Sequence, residues 1–349
     1  MRLLRPAGTA LIAAAVLLSG CGDDSNDSGP FDAEGMSADL ESLIDLTQSG
    51  VAGDFLFTAS TPVFDEAIGG ALVRGSATAI RTNRSVAIAA AELRERTVAA
   101  IAGSPIPVGH SAIIIPEELR GTTFEWDVDT DSYEESLDPG APEDGVRFIL
   151  YQPDPNTGLP DEPLQEIGEV DVIDGSTGTT DAARIIVRDG NTTFIDYAVT
   201  ITEVTGGGTV TVDGFITDGD ERLTFDLGTT VSGGTLELDY ELELEEREVR
   251  FDYTVDLGTD VTVDFQVSSP NGVLSFSGGG SEAIETYTFE ANGEPFATYT
   301  IDSDLNETFT GPDGEPLSAQ EQLVVSNAYA STIYGFLLAQ WLMSPIGVL

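Results

Sequence analysis

From about Thr123 onward, apolar and polar residues alternate with a period of two. Leu236, Leu238, Tyr240, Leu242 and Leu244 are separated by Glu237, Asp239, Glu241 and Glu243. Val249, Phe251, Tyr253, Val255 and Leu257 repeat the pattern against Arg250, Asp252, Thr254 and Asp256. Val261, Val263, Phe265 and Val267 do so again, as do Ile195, Tyr197, Val199 and Ile201. A strand projects successive side chains to opposite faces, so strict alternation means one buried face and one wet face. Breaks at Asp218–Asp220, Gly233-Gly234, Gly258 and Asn271-Gly272 suit hairpin turns. Gly206–Gly208 and Gly278–Gly280 read as turns or bulges between strands rather than phosphate-binding loops. The sum is a large antiparallel meander of roughly ten strands.

Such a sheet has an apolar face too wide to stay in water, because each large side chain gains about 1.5–3 kcal/mol on burial. It must curve into a half-barrel, pair with a second sheet or be covered by helices. Helical spacing supplies the cover. Ser37–Gln48 places Leu40, Leu43 and Ile44 on one face, with Ser37 as the expected cap and Gly50 beyond the end. Val86–Ala102 reads as a second helix, ending before Gly103, with Arg94 and Arg96 toward its C-terminal half. Asp54–Ile80 fits neither period. Ser318–Met343 reads as a C-terminal helix carrying Leu323, Ile333, Phe336, Leu337, Trp341 and Leu342, stopped by Pro345. Asn327, Ser331, Thr332 and Gln340 interrupt it, which favours a helix packed on the sheet over a membrane span. The fold expected is mainly β (α+β).

Charge narrows the partners. The 349 residues include 61 acidic and 14 basic side chains, a net charge of −47, and every basic residue is Arg. A body so acidic repels nucleic acid and anionic lipid surfaces. Two explanations of the acidity stay open: solubility, or life in saline surroundings.

The N-terminus departs from the rest. Arg2 and Arg5 precede an apolar run from Ala10 to Leu18, too short to span a bilayer. The run closes on Leu18-Ser19-Gly20-Cys21. This resembles the lipobox of bacterial lipoproteins, which implies cleavage after residue 20 and lipidation of Cys21. Residues 1–20 are then a signal peptide, 21–36 a lipidated cysteine with a flexible acidic tether, and 37–349 a single domain. Within that domain 37–105 is expected to be helical, 106–315 the sheet and 316–349 the C-terminal helix. Gly22 after the cysteine implies sorting to the outer membrane. Cys21 is the only cysteine, so no internal disulfide is available.

No residue set forms a catalytic motif. His110, the only histidine, lies in Gly109-His110-Ser111-Ala112-Ile113. This run lacks the last glycine of a nucleophile elbow, and no second histidine exists to act as base. A histidine-based zinc site and lysine chemistry are excluded on the same grounds of composition. Calcium is the one metal the sequence suggests. Asp127, Asp129 and Asp131 have the spacing of the first ligands of an EF-hand loop, with Asp138 at its twelfth position, but Ser132 stands where glycine is needed. Asp302, Asp304 and Asn306 echo that spacing more weakly. Gly145–Tyr151 reads as a strand entering a proline-rich loop (Pro153, Pro155, Pro160, Pro163), similar to segments of uncharacterised lipoproteins.

Three functional readings follow. The first is a lipid-anchored, non-catalytic cell-envelope protein, structural or for interaction, whose partner the sequence does not name. The second is a carrier of lipid-like molecules, since a curved sheet with a helix over it resembles the half-barrels of the LolA/LolB and LppX carrier types. On that reading Tyr240, Phe251, Tyr253, Phe265, Phe336 and Trp341 form the ligand face. The third is a hydrolase of unrecognised type. The first two part on whether these rings interlock or enclose a cavity.

Overall fold

The computed structural model describes residues 30–59, 115–154, 157–177, 180–204, 207–233, 235–258, 260–281, 283–304 and 306–347. Cys21 and its leader, the expected helix Val86–Ala102 and His110 lie outside them. Two helices, α1 (Ala33–Thr47) and α2 (Gly50–Ala59), come first. Next come β1 (Thr122–Asp127), β2 (Ser132–Ser136), β3 (Gly145–Tyr151), β4 (Glu166–Asp174) and β5 (Thr180–Asp189). The long strands are β6 (Thr192–Val204), β7 (Gly207–Thr217), β8 (Arg222–Ser232), β9 (Thr235–Leu244) and β10 (Val249–Leu257). The last are β11 (Val261–Ser269), β12 (Gly272–Ser281), β13 (Ile284–Ala291), β14 (Glu294–Asp302) and β15 (Glu307–Thr310), before α3 (Ala319–Gly347).

All fifteen strands form one open sheet in the order β15 to β3, then β1 and β2. Every pair is antiparallel except β1 with β3, because β2 takes the outer edge and returns the chain. The alternation expected of β6–β14 holds: on β9, Leu236 to Leu244 are inside and the intervening acids face water. The described residues hold fifteen strands rather than about ten, and β4 and β5 escape the period-two pattern because they do not alternate. On β5, Ile185, Ile186 and Val187 are all buried, so both faces are covered there and the period-two signal disappears.

The helices also correct the sequence expectations. The cap of α1 is Asp32, whose carboxylate accepts from the backbone amides of Glu34 and Gly35 at 3.1 and 3.3 Å, so the helix starts before Ser37. Ser37, the expected cap, is buried and accepts from Asn327 instead. Helix α2 occupies part of the stretch that fitted neither period. Helix α3 begins with a reciprocal cap, Ser318 N–H to Glu321 at 2.7 Å and Glu321 N–H to the Ser318 hydroxyl at 3.3 Å. It continues through Pro345 to Gly347, since a proline in the last turn removes only a terminal hydrogen bond. Leu323 is exposed rather than packed on the sheet.

Residues 331–336 of α3 are buried without a break, so the helix is enclosed on all sides over that stretch. Among the described residues, no helix is long and apolar enough to cross a membrane. Helix α3 meets strands from β7 to β14. On its other side it runs parallel to α1, joined by Gln320 to Glu34, Asn327 to Ser37 and Glu41, and Thr47 to Tyr334.

Glycine sets the sheet's local shape at two places. Gly278–Gly280 lie inside β12, not in a turn, with φ of 148° to 156°, a region closed to other L residues. A Cβ on Gly278 would stand 2.2 Å from the carbonyl oxygen of Thr286. Gly278 pairs with Tyr287, and Gly214 lies between Tyr197 and Phe225, whose rings close over it at 6.2 Å.

Candidate functional site

The register places Tyr240, Tyr253, Phe265, Phe276 and Phe289 directly opposite one another in β9 to β13. They form one row across the inner face. Ring centroids are 4.9 Å apart from Tyr253 to Phe265, 4.8 Å from Phe265 to Phe276 and 4.7 Å from Phe276 to Phe289. Phe251 lies in the adjacent row, stacked on Tyr253. Helix α3 closes over this row: Phe336 meets Tyr240 edge-on, and the Tyr253 hydroxyl approaches the Ser331 carbonyl at 3.4 Å. Each of these rings is buried. Trp341 is the exception among the expected ligand-face residues, since it is half-buried and packs against Tyr334 of its own helix. The rings that were to line a cavity are thus in contact with one another.

Polar chemistry enters this apolar layer at one end. On β13, Glu285 has the inward parity of Tyr287 and Phe289 and is 1% exposed. Its carboxylate accepts from the hydroxyls of Tyr287 at 2.8 Å and Tyr329 at 3.2 Å. The Tyr299 hydroxyl donates to Glu307 at 2.9 Å, and the rings of Tyr299 and Tyr329 are 4.9 Å apart. Burial, then the neighbouring carboxylates, push the Tyr287 and Tyr299 hydroxyls far above tyrosine's ordinary range, so both remain donors. The sequence reading missed this cluster. Its signal is an acid standing in phase with aromatic residues at Glu285, Tyr287 and Phe289.

Deeper in, the Tyr197 hydroxyl and Gln340 Nε2 are buried without a hydrogen-bond partner among the described residues. The Tyr240 hydroxyl lies beside Thr229, outside hydrogen-bond geometry. Desolvation pushes the Tyr197 hydroxyl above its usual range as well.

The acidic spacings resolve into turns. Asp127 and Ser132 pair at the tip of the β1–β2 hairpin, where Asp127 accepts from the Asp129 amide at 2.7 Å and Asp131 takes a left-handed φ of 52°. Asp138 follows the far end of β2, past the Thr123–Ser136 pair, so the hairpin separates it from the other three. Asp302 likewise accepts from the amides of Asp304 and Asn306 and from the Asn306 side chain, which holds its carboxyl below the usual range. No group of three or more His, Cys, Asp or Glu able to hold a metal occurs among the described residues. The proline-rich loop docks on α2 through Gln152 Nε2 and Asp54 at 3.4 Å.

On the outer face of β10–β13, a shallow groove of about 450 Å³ is lined by polar side chains, including Asp252, Asp264, Gln266, Ser275, Ser277 and Glu290. No protein-family model, curated protein or solved structure matches the chain.

Proposed function

We propose that the protein is an exported, lipid-anchored component of the cell envelope, held at the outer membrane through Cys21, with a non-catalytic body that serves a structural or interaction role. The observation that supports a non-catalytic body is the unbroken aromatic row from Tyr240 to Phe289, closed by Phe336. A catalytic pocket or a lipid tunnel needs space at the centre of the apolar face. Side chains in ring contact occupy that position.

One observation favours the second reading, carriage of a lipid-like molecule. The Tyr197 hydroxyl and Gln340 Nε2 lie inside without a hydrogen-bond partner among the described residues, and a buried polar group left so costs about 1–3 kcal/mol. A ligand's polar group would relieve that cost.

Mass spectrometry tests both readings. Intact-mass analysis of the native protein is expected to find residues 1–20 removed and Cys21 acylated. Retention of the leader, or a bare Cys21, rejects the anchor. Mass spectrometry of a solvent extract from the body (Gly22 onward) is expected to find no stoichiometric lipid. A lipid recovered at equimolar amount in repeated preparations replaces the structural reading with the carrier.

A further inference from the structure

We infer that the end of the sheet carrying the β11–β12 and β13–β14 turns faces the bilayer and the opposite end points away. This rests on the lipid-anchor reading above. In an antiparallel meander, alternate turns fall at the same end. The links β5–β6, β7–β8, β9–β10, β11–β12 and β13–β14 share one end, and β4–β5, β6–β7, β8–β9, β10–β11 and β12–β13 share the other.

The chain enters the body at the first of these ends, and it is fixed there. The Asp32 amide donates to the Asn271 carbonyl at 2.9 Å, and Asn271 Nδ2 donates to Asp39 at 2.8 Å. Phe31 packs edge-on against Phe296 at 5.3 Å, close to the β13–β14 turn. Any tether between Cys21 and the body therefore leaves from one defined point.

Length then sets orientation. Pro30 stands nine positions after Cys21. Whatever its conformation, a chain of that length reaches at most about 32 Å. Strands of nine or ten residues place the distal turns about 30 Å beyond the entry point. Inverting the body would require a nearly taut tether. Electrostatic attraction plays no part, because the near end is acidic: Asp189, Asp218, Asp220 and Glu246 are exposed there.

The sole native cysteine is the one the anchor occupies, so one introduced cysteine gives one free thiol. The full-length lipidated protein, as Asp220→Cys or Asp304→Cys, is labelled with a fluorophore and placed in phosphatidylcholine vesicles containing a lipid-borne quencher. Both positions are exposed turn residues, Asp220 at the near end and Asp304 at the far end. Asn191→Cys (near) and Asp260→Cys (far) repeat the comparison and guard against a local effect of either label. Near-end labels are expected to be quenched several-fold more strongly. Equal or reversed quenching, with the protein bound to vesicles, overturns the orientation and leaves the anchor standing. Failure to bind, with Cys21 unmodified by intact mass, removes the anchor and the orientation together.

Discussion

Tyr329 of α3 donates its hydroxyl to Glu285 of β13 at 3.2 Å, inside a predominantly apolar layer. The contact ties the C-terminal helix to the strand it covers. Glu285→Ala removes the acceptor for both Tyr287 and Tyr329. A buried donor left unpaired costs about 1–3 kcal/mol, so the expected loss is at least about 2 kcal/mol. Tyr329→Phe deletes the bond to Glu285 and should cost about 1 kcal/mol. Urea unfolding of the two single variants and the double variant gives their coupling. A value below about 0.5 kcal/mol would mean the pair is not an energetic unit.

A second buried acid lies on the outer face of the sheet. Asp171 of β4 is held by Arg147 through two hydrogen bonds of 2.7 and 3.0 Å, and by Arg188 at 2.9 Å. Its side chain is only 4% exposed, and the Asp171 bond raises the Arg147 guanidinium above its ordinary pKa. Arg147→Met leaves Asp171 with one cation in place of two. Breaking a buried ion pair costs about 3–5 kcal/mol, and the remaining Arg188 should hold this loss to the lower end. Arg250→Met, at an exposed pair, should cost under about 1 kcal/mol. Chemical denaturation of both variants checks the contrast.

Glycine at position 278 is a backbone requirement. Gly278→Ala puts a methyl group 2.2 Å from the Thr286 oxygen at a φ of 148°. A shift of the β12–β13 pairing is the only relief, so a loss of about 1–3 kcal/mol or more is expected from the strain alone. Gly258→Ala meets nothing closer than 3.9 Å and has no such φ, and it should be tolerated. Melting temperatures of the two variants distinguish a strained position from an ordinary turn.

These positions show what the sequence displayed and what it concealed. Strands β6 to β14 were legible because one face of each is wet, and the alternation of Leu and Glu along β9 records that directly. Strand β3 was legible as well, but β4 and β5 were not, because Asp171 and Ile186 are buried on the face that should be polar. The aromatic row was legible as a set of residues. That it is a row depends on cross-strand register, which the hairpins fix and composition does not. Ser37 looked like a cap because Ser often is one, but Asp32 lies where the chain enters and takes the role. Glu285 was hidden among many acids until its strand parity distinguished it.

The outer face of β7 to β10 predicts how the protein responds to salt and pH. Asp213 stands opposite Asp226, Asp226 opposite Glu241, and Glu241 opposite Asp252, so four carboxylates line up across adjacent strands. Arg250 reaches Glu241 and Asp252, which leaves Asp213 and Asp226 at the uncompensated end. Partial burial, then Asp226, raises the Asp213 pKa above its model-compound value of 3.8. A raised folded-state pKa means the folded protein binds that proton more tightly than the unfolded chain. The associated stability is complete below the unfolded value and is lost as pH rises through the folded one. At pH 7 the ionised Asp213 is therefore a liability, and Asp213→Asn should raise stability by less than about 1 kcal/mol, given the exposure of the site. The gain should shrink in molar NaCl, where the Debye length is about 3 Å, and disappear below the unfolded carboxylate range. Wild-type melting temperature should rise with NaCl for the same reason. Thermal unfolding of wild type and Asp213→Asn at low and molar NaCl, each at pH 7 and pH 3, tests every part of this. An Asn variant no more stable than wild type at pH 7 and low salt would show that carboxylate opposition on this face is already relieved by solvent.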